Sequence, residues 1–226
     1  MYKYETHLHT SESSACGRNT GAEMVRACKR AGYSGAVITD HFFNGNCAVR
    51  RDLGWEERVR LFMRGYESAK SEGDKIGFDV YFGFEYGLGG SDFLIYNFGE
   101  DKILEYPEIM TDSFEKFAER VHDAGGFIIH AHPFRQEVYI QQPGRVFPEC
   151  TDAVEIFNAS HLYRLEYDKK AREYAEKYNL IKFSGSDTHS TDPKYLKGGI
   201  AFEQRPESLE DMIGMVRADK HVILKG

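Results

Sequence analysis

Nearly every short β-prone run in this 226-residue chain is closed by a histidine or a carboxylate, and that placement limits the folds open to it. Tyr2–His7 leads into His7-Leu8-His9, Gly35–Thr39 into Asp40-His41, and Asp79–Phe84 into Glu85. Phe127–His130 leads into His130-Ala131-His132, and Ile181–Ser184 into Asp187-Thr188-His189. Helical stretches separate most of these runs, which implies a largely parallel sheet. An open sheet gathers functional residues at one switch point, whereas a barrel brings all its strand ends around one mouth. Residues of one chemical type after so many strands therefore predict the barrel.

Local signals supply the rest of the pattern. Thr20–Ala31 reads as a helix with Thr20 as N-cap, Glu23 as its capping-box partner and Gly32 as its stop. Trp55–Glu72 has helical periodicity and meets Gly73, and a helix opening at Asp112 or Ser113 is stopped by Gly125-Gly126. Phe93–Phe98 is strand-like and joined to the preceding strand through Gly87-Leu88-Gly89-Gly90. Ala153–Phe157 follows as a strand, Leu162–Tyr178 and Glu207–Val216 as helices, and Val222–Leu224 as a closing strand. With no repeat, low-complexity tract or linker, one domain over residues 1–226 is expected.

Composition narrows the partners. At 41% hydrophobic and 29% charged residues the chain has an ordinary globular balance. A net charge of −7 without a Lys/Arg block disfavours long nucleic acid and leaves a small phosphorylated substrate open. Four cysteines without a CxxC spacing suit a reducing cytoplasm. No secretory or membrane-spanning apolar segment is visible, so no membrane partner is expected. Oligomeric state leaves no signal in the sequence.

Alternation along a strand sends residues i and i+2 to the same face, so His7 and His9 can grip one metal ion from one side. The same argument applies to His130 with His132 and to Asp187 with His189. Of Asp40 and His41, the histidine is the better ligand and the aspartate the better support for a neighbouring ring. Glu85 closes an apolar run where an unpartnered carboxylate would be costly, and its two oxygens can bridge two ions. Asp92 is a second carboxylate seven positions on, or a turn residue. Arg135 can reach a phosphate oxygen, with Arg18 behind it, and His161 either lines the mouth or is structural. His122 reads as a surface or helix-end histidine, and His221 as structural.

Taken in order, His-Leu-His-Thr at 7–10, Thr-Asp-His at 39–41, Gly-Phe-Glu at 83–85, His-Pro at 132–133 and Gly-Ser-Asp-Thr-His at 185–189 resemble the polymerase-and-histidinol-phosphatase (PHP) superfamily. The resemblance implies a distorted (β/α)7-type barrel whose metal site lies at the C-terminal ends of the strands. It implies two or three divalent ions, drawn from Mn, Fe, Zn or Mg. His7, His9, Glu85 and Asp187 would hold one, Glu85 and His132 a second, and His41 and His189 a third. Two departures stand out. Where many relatives carry a third-ion ligand, this chain offers Glu12 or Cys16; where they carry a second-ion histidine, it has Asp92, a harder donor. The His-Pro motif favours His132 over His130.

The implied activity is hydrolysis of a small phosphomonoester by a metal-activated water, with Arg135 offsetting charge and Asp187 or His189 moving a proton. Alternatives are a phosphodiesterase or exonuclease acting on short oligonucleotides or nucleotide bisphosphates, C–N bond hydrolysis, and a non-catalytic metal-binding module.

Overall fold

Strands and helices alternate as expected at the start of the chain, and antiparallel partners appear where the pattern concealed them. The computed structural model describes residues 1–138, 140, 144–161 and 164–226. In chain order the elements are β1 (Tyr2–Glu5), α1 (Gly21–Arg30), β2 (Gly35–Ile38), α2 (Trp55–Phe62), α3 (Arg64–Ile76), β3 (Asp79–Leu88), β4 (Ser91–Tyr96) and α4 (Glu100–Glu105). Then come α5 (Phe114–Asp123), β5 (Phe127–Ala131), β6 (Ala153–Asn158), α6 (Leu165–Lys177), β7 (Ile181–Gly185), β8 (Ile200–Phe202), α7 (Leu209–Arg217) and β9 (Val222–Ile223). Leu162 and Tyr163, where the sequence starts the sixth helix, lie outside the described residues.

Among the described residues, nine strands form one sheet in the order β7-β6-β5-β4-β3-β2-β1-β8-β9. Beyond β1 and β7 the chain pairs again, Leu8 with Thr188, through His9 N–H to Thr188 O (3.0 Å) and Thr188 N–H to His7 O (3.3 Å). This seam joins the two sides of the sheet into a barrel at the end that carries the histidines. The expectation of a largely parallel barrel is therefore borne out in class and corrected in detail. The β3–β4–β5 run is antiparallel, and β8 and β9 add antiparallel pairs beside β1.

Local chemistry accounts for the element ends. The Thr20–Glu23 capping box opens α1, Ser113 caps α5 and Ser208 caps α7. The long helix expected from Trp55 is broken at Met63 into α2 and α3. Gly73 does not stop it. A Cβ there would lie 2.6 Å from Val80 Cγ2, so this glycine lets α3 lie close against β3, and left-handed Gly77 ends the helix. The core fills both sides of the sheet, with Phe42, Phe62, Phe84, Phe93 and Phe117 buried in one cluster. Tyr4, Tyr96, Phe127 and Phe183 are buried in another.

Candidate metal centre

Pairing between β2 and β3 continues past Ile38, with Glu85 N–H to Asp40 O (3.0 Å) and Phe42 N–H to Glu85 O (2.8 Å). That register sets His41 beside Glu85 at the mouth. Glu85 is the hub. Its Oε1 lies 3.3 Å from His7 Nε2 and 3.1 Å from His132 Nε2; its Oε2 lies 2.6 Å from His41 Nδ1 and 3.6 Å from His9 Nε2. Asp187 Oδ1 stands 3.2 Å from His9 Nε2 and 3.6 Å from His7 Nε2.

Among the described residues three donor groups each lie within 4.8 Å: His7–Glu85–His132, His7–His9–Asp187 and His9–His41–His189. These share members, so they form one contiguous centre. Backbone geometry helps to build it. His132 (φ 30°) and Asp187 (φ 52°) are left-handed, a conformation that costs a non-glycine residue energy and persists where packing enforces it.

The electrostatics follow from burial and proximity. Burial opposes charge on His7, yet Glu155, Asp187 and Glu85 outweigh it and push that imidazole's pKa well up. His9 goes well down, through burial and the neighbouring His189 and His41. Burial would raise the Glu85 and Asp187 carboxyls. Facing His41 and His7 in one case, and Arg135 and His7 in the other, they fall well below the usual range instead.

A buried polar atom without a partner is costly, and here His7 Nε2 and His9 Nε2 are both buried and without a hydrogen-bond partner among the described residues. Both converge on the carboxylates, with nitrogen and oxygen donors in the proportions a divalent transition metal takes. The residues present fit such an ion.

The remaining expectations divide. A cavity of about 880 Å³ opens onto the centre, lined among others by Cys16, Arg18, Asp92, Arg135, Ser160 and Tyr195. Asp92 faces Gly87 across the β3–β4 pair, near Glu85 but outside the three donor groups, and burial together with the Glu85 charge raises its pKa. Cys16 shares hydrogen bonds with His189 and His41, which outweigh burial and bring its thiol down to about 6. Arg135 Nη2 donates to Asp187 Oδ2 (2.5 Å), Ser160 Oγ (2.7 Å) and Asn158 Oδ1 (3.2 Å).

One reading needs correction, and two alternatives left open by the sequence narrow. His130 does not reach the centre. It is fully buried, stacked on Phe93 at 4.4 Å and edge-on to Tyr174 at 5.8 Å. The strand ends at Ala131 and the left-handed turn at His132 breaks the same-face argument that joined the pair. Glu12 is spent on the N–H of Gly21 at the start of α1 (3.1 Å). His161 stands behind Arg135, its Nε2 3.4 Å from Arg135 Nε and its Nδ1 2.7 Å from Asp168 Oδ1, rather than on the cavity wall.

Asp40 accepts from Thr10 N–H (2.6 Å) and Ser14 Oγ (2.6 Å), and Ser14 Oγ lies 3.2 Å from His9 Nδ1, so its support for a ring runs through a serine. Sequence reasoning missed Glu155. Its Oε1 lies 2.9 Å from His7 Nδ1, and its Oε2 accepts from His132 N–H (3.1 Å) and Asn158 Nδ2 (2.9 Å). The signal was present as a lone charge inside Ala-Val-Glu-Ile-Phe.

No family model matches the sequence, and no curated protein does. Solved structures do. A two-domain protein from Bacteroides vulgatus, containing a predicted PHP-like metal-dependent phosphoesterase, matches 98% of this chain at TM-score 0.73 and 16% identity. The fold is PHP-like. A protein assigned as a metal-dependent phosphoesterase from Bifidobacterium adolescentis shares it over 83% of this chain and 88% of its own, at TM-score 0.56 and 14% identity. So does a lesion-specific endonuclease from Pyrococcus furiosus, over 98% of this chain, at TM-score 0.56 and 12% identity. The chain spans 64% of the Bacteroides protein and 57% of the Pyrococcus one. The PHP-like fold thus bears out the resemblance read from the motifs at the level of architecture. No helix among the described residues is long and apolar enough to cross a membrane.

Proposed function

We propose that this chain is a metal-dependent phosphoesterase of the PHP superfamily that hydrolyses a small phosphomonoester. The observation that carries the reading is Glu85, a buried carboxylate with each oxygen facing a different pair of histidines at the floor of a cavity that Arg135 and Arg18 also line. His7, His9 and Asp187 would hold one ion with Glu85, and Glu85 and His132 a second, with Asp92 lining the same cavity. His41 and His189 would hold a third. Such ions, when bound, polarise phosphoryl oxygens and lower the pKa of water toward neutrality.

The protein's own groups set the rest. Asp187 keeps Oδ1 toward His7 and His9 while Arg135 and Ser160 occupy Oδ2, so it is committed on both sides and moves no proton. His189 Nδ1 lies 3.1 Å from the Asp187 carbonyl, which leaves Nε2 for either an ion or a proton, and we assign it to the ion. Arg135, pinned by Asp187, Ser160 and Asn158, presents its guanidinium to a phosphoryl oxygen without reorganising as charge develops. The acidic net charge and the size of the cavity favour a small substrate over a long nucleic acid.

The test is phosphate release by chelator-stripped protein reloaded with manganese, over phosphomonoesters, nucleotide bisphosphates and short DNA and RNA. Metal-dependent turnover of a monoester supports the proposal. Cleavage confined to diesters moves the assignment to a nuclease, and silence with metal bound overturns the phosphoesterase reading.

A further inference from the structure

Arg135 stands on an irregular stretch after β5, anchored by its own N–H to His132 O (3.0 Å). Its guanidinium is met by Asn158, Ser160 and His161, all from the short segment after β6. The first two take Nη2, and His161 takes Nε, its own Nε2 lying 3.4 Å away. Arg135 lines the cavity, while His161 is buried off its wall. The next shell is in α6. His161 Nδ1 lies 2.7 Å from Oδ1 of Asp168, a buried carboxylate in the first turn of that helix. Tyr167 packs edge-on to the His161 ring (5.3 Å) and donates its hydroxyl to Gln136 O (2.9 Å), so α6 also holds the residue that follows Arg135.

These contacts fix the protons. A guanidinium only donates, so the imidazole nitrogen facing it must carry a lone pair. The ring's one proton then sits on Nδ1 and is donated to Asp168. Burial lowers the ring's pKa, with Arg135 and His132 adding to the effect against the pull of Asp168, which suits a neutral ring. Neutrality has a use. Asp187 already offsets part of the Arg135 charge, and a second carboxylate in direct contact would offset more. An interposed neutral imidazole orients the guanidinium and keeps the Asp168 charge a ring's width away.

We propose that Asp168 and His161 form a positioning dyad: Asp168 fixes the Nδ1–H tautomer, and the ring's Nε2 locks Arg135 in place for a phosphoryl group. The dyad acts on the reaction through Arg135 alone. Its effect on turnover rests on the phosphoesterase reading above, and its tautomer is read without any substrate.

The test is a double-mutant cycle on the manganese-loaded full chain with para-nitrophenyl phosphate as substrate. His161→Leu should lower kcat/KM roughly 10–100-fold, the usual cost of losing a supporting partner. In an Arg135→Ala background the same change should cost less than about twofold, because the group it positions is gone. His161→Gln, whose amide oxygen can accept the Arg135 Nε–H, should recover most of the loss, and Asp168→Ala should fall with His161→Leu. Metal content should stay constant throughout. Equal costs with and without Arg135, a His161→Gln no better than His161→Leu, or a lost metal equivalent overturns the proposal. Long-range proton–nitrogen NMR of the unmodified zinc-loaded chain reads the ring itself and serves if the variants fail to fold. A neutral Nδ1–H ring at His161 supports the dyad, and an Nε2–H ring or an imidazolium at neutral pH overturns it. The Nδ1–H ring without any phosphate release sinks the phosphoesterase reading and leaves the lock on Arg135 standing.

Discussion

His130 offers the sharpest quantitative prediction, because it lies in the core with neither ring nitrogen hydrogen-bonded among the described residues. Replacing it by leucine keeps a similar volume and removes the unpaired polar atoms. Each such atom costs about 1–3 kcal/mol. Against that stand a lost ring contact with Phe93, about 0.5–1.5 kcal/mol, and an imperfect refit, up to about 1.5 kcal/mol. The expected outcome near neutral pH is a His130→Leu variant more stable by about 1–3 kcal/mol, or a Tm raised by roughly 2–12 °C for a chain of this size.

Acid should widen the gap. Burial, aided by the neighbouring His132, lowers the native ring's pKa to about 3, while the unfolded ring keeps the ordinary value of 6.5. Between those values the unfolded chain binds the extra proton, so native stability falls as pH falls, by about 1.4 kcal/mol per unit. At about pH 5 the histidine protein should have lost roughly a further 2 kcal/mol that the leucine variant keeps. Urea denaturation of chelator-stripped protein at both pH values measures this, with metal analysis of the reloaded forms alongside. Equal stabilities, a gap indifferent to pH, or a variant short of one metal equivalent would refute the placement of His130 away from the centre.

Three further outcomes follow from the geometry. Glu85→Ala should cost roughly three orders of magnitude in turnover together with at least one metal equivalent, since several kcal/mol of charge stabilisation depends on its bridge; near wild-type rates in a metal-replete assay would sink the bridging role. Glu155→Gln should weaken metal binding about 10–100-fold with the urea midpoint little changed, because the amide keeps contact with His7 but not the charge behind it; competition with a fluorescent chelator reads this directly. Gly65→Ala should destabilise by about 1–3 kcal/mol or more, since its Cβ would lie 2.2 Å from Thr10 Oγ1 and 2.5 Å from Asp40 Oδ2; an unaltered unfolding midpoint would show that α3 can retreat.

What the sequence revealed divides along physical lines. Short-range rules worked where the determinant is local: the Thr20–Glu23 box, the Ser113 cap and the hairpin carrying Glu85 and Asp92 are all present. Strand-end histidines were legible because a barrel makes sequence position and spatial position coincide at its mouth. Period-two reasoning failed at His130 and His132, where a left-handed residue rotates one ring out of the pattern. Gly73 misled because a glycine that permits close packing looks like one that ends a helix. The short β8 escaped because three apolar residues carry too weak a signal, and its pairing with β1 is set by tertiary contact. Glu155 was overlooked for want of a partner, which lies 148 positions away.

The seam between Leu8 and Thr188 has a consequence for how the protein is made. It places the first and last groups of proposed ligands side by side in space and some 180 residues apart along the chain. At about 5–20 residues per second, roughly 10–40 seconds of synthesis separate the emergence of His7 from that of His189. During that interval the early histidines lack the carboxylate of Asp187 and half their neighbours. Contacts of such long range form late in folding, after the local hairpins and helices are in place. On the proposed reading the incomplete chain is therefore a poor metal scavenger, and its ions come from whatever supply the finished barrel meets.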